Sequence, residues 1–352
     1  MAHPRKLLIA STATLLAAGT LAACSSVVNP GGGDESLTIY SNSVSDGRGD
    51  WLKEQAAEQG FDLQIVDMGG GDVYNRLLAE KANPIADVTF GMNDVYFQKL
   101  VDNDVLEKYT PAWADKIDAD AVDPSEMYYP IVREPIMLVC NDAAFAKPED
   151  MPQDWPDLWE KEQFHNRYEV PASLGGATVQ MVISGILTRY EDPNGKLGIS
   201  DDGWNAISQW YGNGVRSEQG TDLYAQMKTG KVDCGQMWQA GKVTREKQYE
   251  ITTSAAHPAI GVPMVRQGVA LVNGTKHEEQ AKKFIDWFGS AEVQAAWSKQ
   301  FATAPMNKDA IADGNAEAIA FTESFKEQKL DWKFVADNLD SWIEEIQLNY
   351  VK

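Results

Sequence analysis

The sequence predicts an α/β fold built on parallel strands. Three observations carry that prediction. From Ser36 onward, short apolar runs with period two are each followed by a stretch of helical spacing. Glycines, notably Gly60 and the run Gly69–Gly71, punctuate the alternation. Strands that alternate with helices at this pitch build βαβ units, whose strands lie parallel.

The elements follow in order. The stretch 36–42 (SLTIYSN) alternates into a strand, and DGRGDWLKEQAAEQG gives a helix that stops at Gly60. FDLQIVDMGGG is a second strand running into a glycine loop; DVYNRLLAEKAN is a helix with Asp72 as its N-cap. ADVTFGM is a third strand, and a helix carrying Phe97, Leu100 and Val101 follows. Residues 109–129, rich in Pro, Asp and Trp, read as a surface excursion. The long extended run 129–141 (YPIVREPIMLVCN) reads as a strand crossing between lobes. The next region reads as short helix, strand, tight loop and long helix, ending in VPASLGGATVQMVISGIL. Two helices carry DGWNAISQWYGN and TDLYAQMKTGK, with Trp204, Trp210 and Tyr211 as core candidates. VDCGQMW and, more weakly, IGVPMVRQGVALVNG are strands, and the chain from His277 onward is mainly helical.

The N-terminus obeys a different logic. Arg5 and Lys6 precede an apolar run from Leu7 to Ala23, shorter than the roughly 20 residues that span a bilayer. A basic start, an apolar middle and small residues before a cut site describe a secretory signal over 1–23. Leu21-Ala22-Ala23-Cys24 resembles the bacterial lipobox, which implies lipidation of Cys24 and a lipid anchor. Residues 24–35, small, Gly-rich and polar, read as a flexible tether. About 330 residues remain, enough for two lobes. The net charge of −21 argues against nucleic acid as a partner, because phosphate backbones need Lys and Arg. After Cys24 only Cys140 and Cys234 are left. In an exported chain they are either a disulfide or two buried thiols.

The order of LTIYSN, GGGDVYNRLLAEKANPIADVTFGM, LEKYTP, IVREPIMLVCN and GVALVNGTKHEEQAKKFIDWFGSAEVQ resembles the solute-binding proteins of bacterial ABC importers. The branch is the one holding receptors for ferric ion, phosphonates, sugar phosphates, polyamines and thiamine. The resemblance implies a two-lobe periplasmic-binding-protein-like fold with a hinge and an interlobe ligand cleft. Lobe 1 is then 36–135 plus 264–308, and lobe 2 is 136–263 plus 309–352. It implies a small-molecule ligand and a membrane permease as partners, a monomer, and no cofactor.

The residues bear on which ligand. Where ferric receptors carry adjacent tyrosines, this chain has Gln236, Trp238 and Gln239; Met92 and Asn93 stand where an acidic ligand is usual. Hard Fe³⁺ needs anionic oxygens, so no metal site is expected. Ser173, Gly175, Gly176, Ala177 and Thr178 lie between a strand and a long helix, where free N–H groups attract an anion. The other reading of that loop is an empty helix cap. Ser41, Asn42 and Ser43 end the first strand and offer neutral hydrogen bonds to a ligand. Arg48 is either a cleft contact or a solvated first-turn arginine. Arg133 is either an anion clamp or the partner of a carboxylate such as Glu134. Trp238 and Asn93 complete the candidate set. Asp94 with Trp238 keeps a cation ligand in view. An exported enzyme is the rival class: no G-x-S-x-G elbow, no HExxH spacing and few histidines speak against it. A structural surface protein, binding no ligand, is the third.

Overall fold

Strand β1 (Leu37–Ser41) sends Leu37 and Ile39 to one side of a sheet and Tyr40 to the other, and all three are buried. A strand buried on both faces belongs to the middle of a layered α/β sheet. The chain, in a computed structural model describing residues 36–217 and 220–351, continues through α1 (Arg48–Glu58), β2 (Leu63–Asp67), α2 (Gly70–Glu80) and β3 (Val88–Phe90). Then come α3 (Asp94–Asp102), β4 (Leu106–Glu107) and the 13-residue strand β5 (Tyr129–Asn141). The proposed signal, the tether and Cys24 lie outside the described residues.

Next are α4 (Asp157–Glu160), β6 (Glu169–Val170), α5 (Ala177–Leu187), β7 (Glu191–Lys196), α6 (Asp201–Asn213) and β8 (Val215–Arg216). They are followed by α7 (Leu223–Lys228), β9 (Cys234–Trp238), α8 (Gln239–Tyr249) and β10 (Thr253–Ala255). Strand β11 (Met264–Val272), α9 (Glu278–Phe288), α10 (Ala291–Phe301), β12 (Ala304–Pro305), α11 (Ala316–Glu323) and α12 (Trp332–Asn349) complete the chain.

Strands β2, β1 and β3 pair in parallel. Beyond β3 the sheet turns antiparallel, in the order β3-β11-β5, with β9 and β10 both paired to the far part of β5. Strand β5 therefore serves two lobes. Its first residues, Tyr129, Ile131 and Val132, join a core with Leu52, Phe284, Phe288 and Trp297. Its later residues divide by period two: Ile136, Leu138 and Cys140 pack with Trp155, Ile183, Trp210 and Trp342, while Met137 and Val139 pack with Tyr224 and Met227. A fully buried large apolar side chain contributes about 1.5–3 kcal/mol, and each of these clusters gathers several of them. Cys140 and Cys234 form a disulfide between β5 and β9, in register.

Two local expectations need correction, and one strand went unforeseen. Asp72 does not cap α2. Gly69 is the extended N-cap and Asp72 lies in the first turn, because the chain leaves β2 directly into a helix two residues earlier. Residues 109–129 are not a surface excursion: Trp113, Ile117 and Tyr128 are buried, and the Trp113 indole N–H donates to the Ile285 carbonyl at 3.0 Å. Glu191–Lys196, to which the sequence reading gave no element, is a strand. It folds back through Leu197 and Gly198, both at positive φ, to meet Ile199.

Candidate functional site

The carboxyl ends of β1, β2 and β3 point at one place, where α1 and α2 begin. Open α/β sheets bind ligands beyond such strand ends. After β1 the chain turns through Asp46 (φ 55°) and Gly47 (φ 82°) and delivers Arg48 as the first residue of α1. The Arg48 guanidinium is largely buried. It stands 3.6 Å from Asp46 Oδ2 and over the Phe301 ring, 5.3 Å from its centroid. Gly91 closes the turn after β3 at φ 97°. A Cβ there would lie 2.5 Å from Ser43 Cβ and 2.9 Å from Asn42 Oδ1, so the loop 42–43 can settle only against a glycine.

The floor is made by the two crossing strands. Glu134 of β5 is fully buried. Its Oε1 accepts the Ala240 backbone N–H at 3.1 Å, and its Oε2 accepts from Gln267 Nε2 at 2.8 Å. Ser43 Oγ–H in turn donates to Gln267 Oε1 at 2.9 Å. The chain of bonds runs from the start of α8, through β5 and β11, to the loop after β1. Burial pushes the Glu134 carboxyl above the ordinary range, while the nearby Arg48 charge and the two hydrogen bonds hold it down.

The opposite wall is the start of α5. Gly176 is its extended N-cap, and no side chain caps the helix. The first-turn N–H groups have no partner within the helix, and Gly175–Thr178 line the cleft. Trp238 precedes α8 and folds over its first turn, where a Cβ at Gly241 would lie 2.4 Å from the indole. Together these parts enclose a cavity of about 340 Å³, at the small end of the roughly 300–1,000 Å³ usual for ligand pockets.

The cavity gathers Asn42, Ser43, Arg48 and Trp238 with the loop Gly175, Gly176, Ala177 and Thr178. Five other candidates do not line it. Ser41 is buried, and its Oγ accepts the Ser43 N–H at 3.0 Å, shaping the loop from beneath. Asn93 is buried away from the cavity, where it caps α3 through Tyr96 N and donates to Met181 Sδ. Arg133 is adjacent to Glu134 on a strand, and period two sends neighbours to opposite faces. With Glu134 in the floor, Arg133 turns away to Glu323, 3.7 Å distant. Ser173 is exposed outside the cavity lining. Gln236 sits mid-strand opposite Leu138, two residues short of the cavity edge at Trp238.

Several lining residues escaped sequence reasoning. Asp67 ends β2, and the strand-end rule that singled out residues 41–43 applied to it equally. Glu134 was visible as a lone carboxylate inside an apolar strand. Gln267, Ile136 and Val265 carried no local signal.

The lobes also touch outside the cavity. Tyr96 Oη–H of α3 donates to Gln180 Oε1 of α5 at 2.8 Å, and Lys99 Nζ meets Asp340 of α12 at 2.7 Å. Gln180 Nε2 then donates to the Leu174 carbonyl, beside the glycine loop, at 3.2 Å. Among the described residues, no three His, Cys, Asp or Glu side chains gather as a metal site.

A sequence model for bacterial extracellular solute-binding proteins matches residues 50–323. A probable ABC transporter periplasmic-binding protein of Sinorhizobium fredii is 32% identical over 314 residues, 89% of this chain and 86% of its own length. A putative 2-aminoethylphosphonate-binding periplasmic protein of Salmonella typhimurium is 23% identical over 333 residues, 89% of this chain and 91% of its own length. The solved structure of the periplasmic binding protein AfuA from Actinobacillus pleuropneumoniae, with fructose-6-phosphate, superposes with a TM-score of 0.73 at 18% identity. It covers 90% of this chain and 98% of its own. Ferric-binding proteins of Campylobacter jejuni and Pasteurella haemolytica share the fold, with TM-scores of 0.73 and 0.74 at 16% identity.

Proposed function

Because the chain belongs to the bacterial extracellular solute-binding proteins, we propose that it captures a small ligand with an anionic head, of phosphonate or phosphate ester type, and hands it to an ABC permease. Family members bind and deliver solutes rather than transform them. The carrying observation is the uncapped start of α5, whose first-turn N–H groups share one cavity with Arg48. N–H groups at a helix start and a guanidinium both favour an anion. The relatives support the reading: one is named for an aminophosphonate, and one fold neighbour holds a sugar phosphate. Hinge bending at β5 and β11 would bring the two walls onto the ligand. The lobe limits of 36–135 plus 264–308 and 136–263 plus 309–352, the lipid at Cys24 and the monomeric state belong to the same proposal.

The test is a thermal-shift panel on the soluble chain, since a ligand that binds only the folded form raises its melting temperature. At least one member of a panel of phosphonates, sugar phosphates and phosphate should raise it. The proposal fails if none does while ferric salts or polyamines do. Native mass spectrometry of the protein as purified would identify any ligand it retains.

A further inference from the structure

The cavity that fits an anionic head is not itself positive. Its charged lining is Arg48, Asp67 and Glu134, one cation against two carboxylates. Arg48 is further offset by Asp46 at 3.6 Å. The two carboxylates differ in what they can offer. Each oxygen of Glu134 already accepts a protein N–H, from Ala240 and from Gln267. Asp67 is exposed at the end of β2 and has no side-chain partner among the described residues.

A bare oxyanion in this cavity would meet the α5 start and Arg48 favourably and Asp67 unfavourably. A ligand carrying a positive group some atoms from its anionic head would meet all three favourably. We propose that Asp67 is a specificity residue, which admits zwitterionic ligands with an ammonium-type group and rejects plain phosphate and simple phosphonates by like-charge repulsion. This rests on the anion reading of the α5 loop and refines it. Building repulsion against the wrong ligand is a general route to selectivity. It suits a receptor whose anion site would otherwise fill with inorganic phosphate.

The experiment uses a matched pair, 2-aminoethylphosphonate and ethylphosphonate, which differ only in the ammonium group, with inorganic phosphate as a third probe. Calorimetric titration of the wild-type chain should show at least tenfold tighter binding of the amino compound. Asp67→Asn should bring the pair within about threefold, by weakening the amino compound and leaving or tightening ethylphosphonate and phosphate. Asp67 has no partner to lose, so the variant should melt at the wild-type temperature. The inference is overturned if the wild type binds both phosphonates equally, or if Asp67→Asn preserves the gap. If the wild type binds neither phosphonate nor phosphate, this refinement falls; if no sugar phosphate raises its melting temperature either, the anion reading falls with it.

Discussion

Gly176→Asp separates ligand binding from folding with unusual clarity. Gly176 caps α5 at φ −78° and ψ 139°, a conformation open to any residue. A Cβ added there meets nothing within 4 Å, so the side chain enters open cleft. Aspartate is among the best N-caps, worth about 1 kcal/mol to a helix, and it would accept the very N–H groups the ligand needs. It also sets a negative charge beside the anionic head. Two like charges about 5 Å apart at an effective dielectric near 20 repel by about 3 kcal/mol, on the order of a 100-fold loss of affinity. Salt at physiological strength trims that figure. The melting temperature of the empty protein should hold or rise while affinity collapses, so the two readouts diverge. Calorimetric titration at low and physiological salt, beside a melting curve, measures both. Gly176→Ala keeps the backbone without the charge and should bind within a few-fold of wild type. Unchanged affinity in Gly176→Asp, with folding intact, would falsify the α5 loop as the anion site.

Three further outcomes are expected. Replacing both Cys140 and Cys234 by Ser removes a crosslink spanning 94 residues; loop entropy puts the loss at about 3–5 kcal/mol, seen as a lower melting temperature with affinity kept in the folded protein. Tyr96→Phe deletes the 2.8 Å bond from α3 to Gln180 of α5, about 1 kcal/mol. It should weaken ligand binding several-fold and shift small-angle scattering toward a more open shape; equal affinity would show that the bond does not hold the lobes together. Burial lifts the Asp94 carboxyl to about 6, opposed by Arg266 and a hydrogen bond from Tyr128 and aided by Asp123 and Glu327. The folded form then keeps this proton longer than the unfolded chain. Its stabilising effect is present below about pH 4 and lost as pH rises to about 6. Asp94→Asn, neutral throughout, should flatten that part of the stability curve and gain on wild type at pH 7.5; parallel curves would refute the assignment.

Local pattern made much of this molecule readable. β1 through α3 alternate cleanly because each buries its apolar residues at its own period, and β5 carries its crossing role in a 13-residue run that is apolar but for Arg133, Glu134 and Asn141. The glycine loop before α5 was legible because helix starts advertise themselves through small residues. What stayed hidden is long-range. Gln267 joins Glu134 across 133 residues and Ser43 across 224, and no local window contains such a bond. Ser41 and Asn93 were misplaced for a related reason. Strand ends and helix starts do gather at the cleft, but short polar side chains there satisfy their own backbone as readily as a ligand. Arg133 and Glu134 show the same limit in miniature. The strand was legible, yet which of two charged neighbours faced inward depended on a register set by β11.

The disulfide has a mechanical side. Cys140 is the next-to-last residue of β5, so that end of the strand is covalently tied to β9. The other end is woven between β11 and β12. The pairing of β5 passes from β11 to β9 between Pro135 and Ile136, and a ribbon held on either side bends at that hand-over. Glu134 and Ile136 flank it, and both are cavity floor. The backbone that would bend and the backbone a ligand would press on are thus the same few residues. Occupancy of the cavity could then reach the lobes' relative angle without any intervening relay.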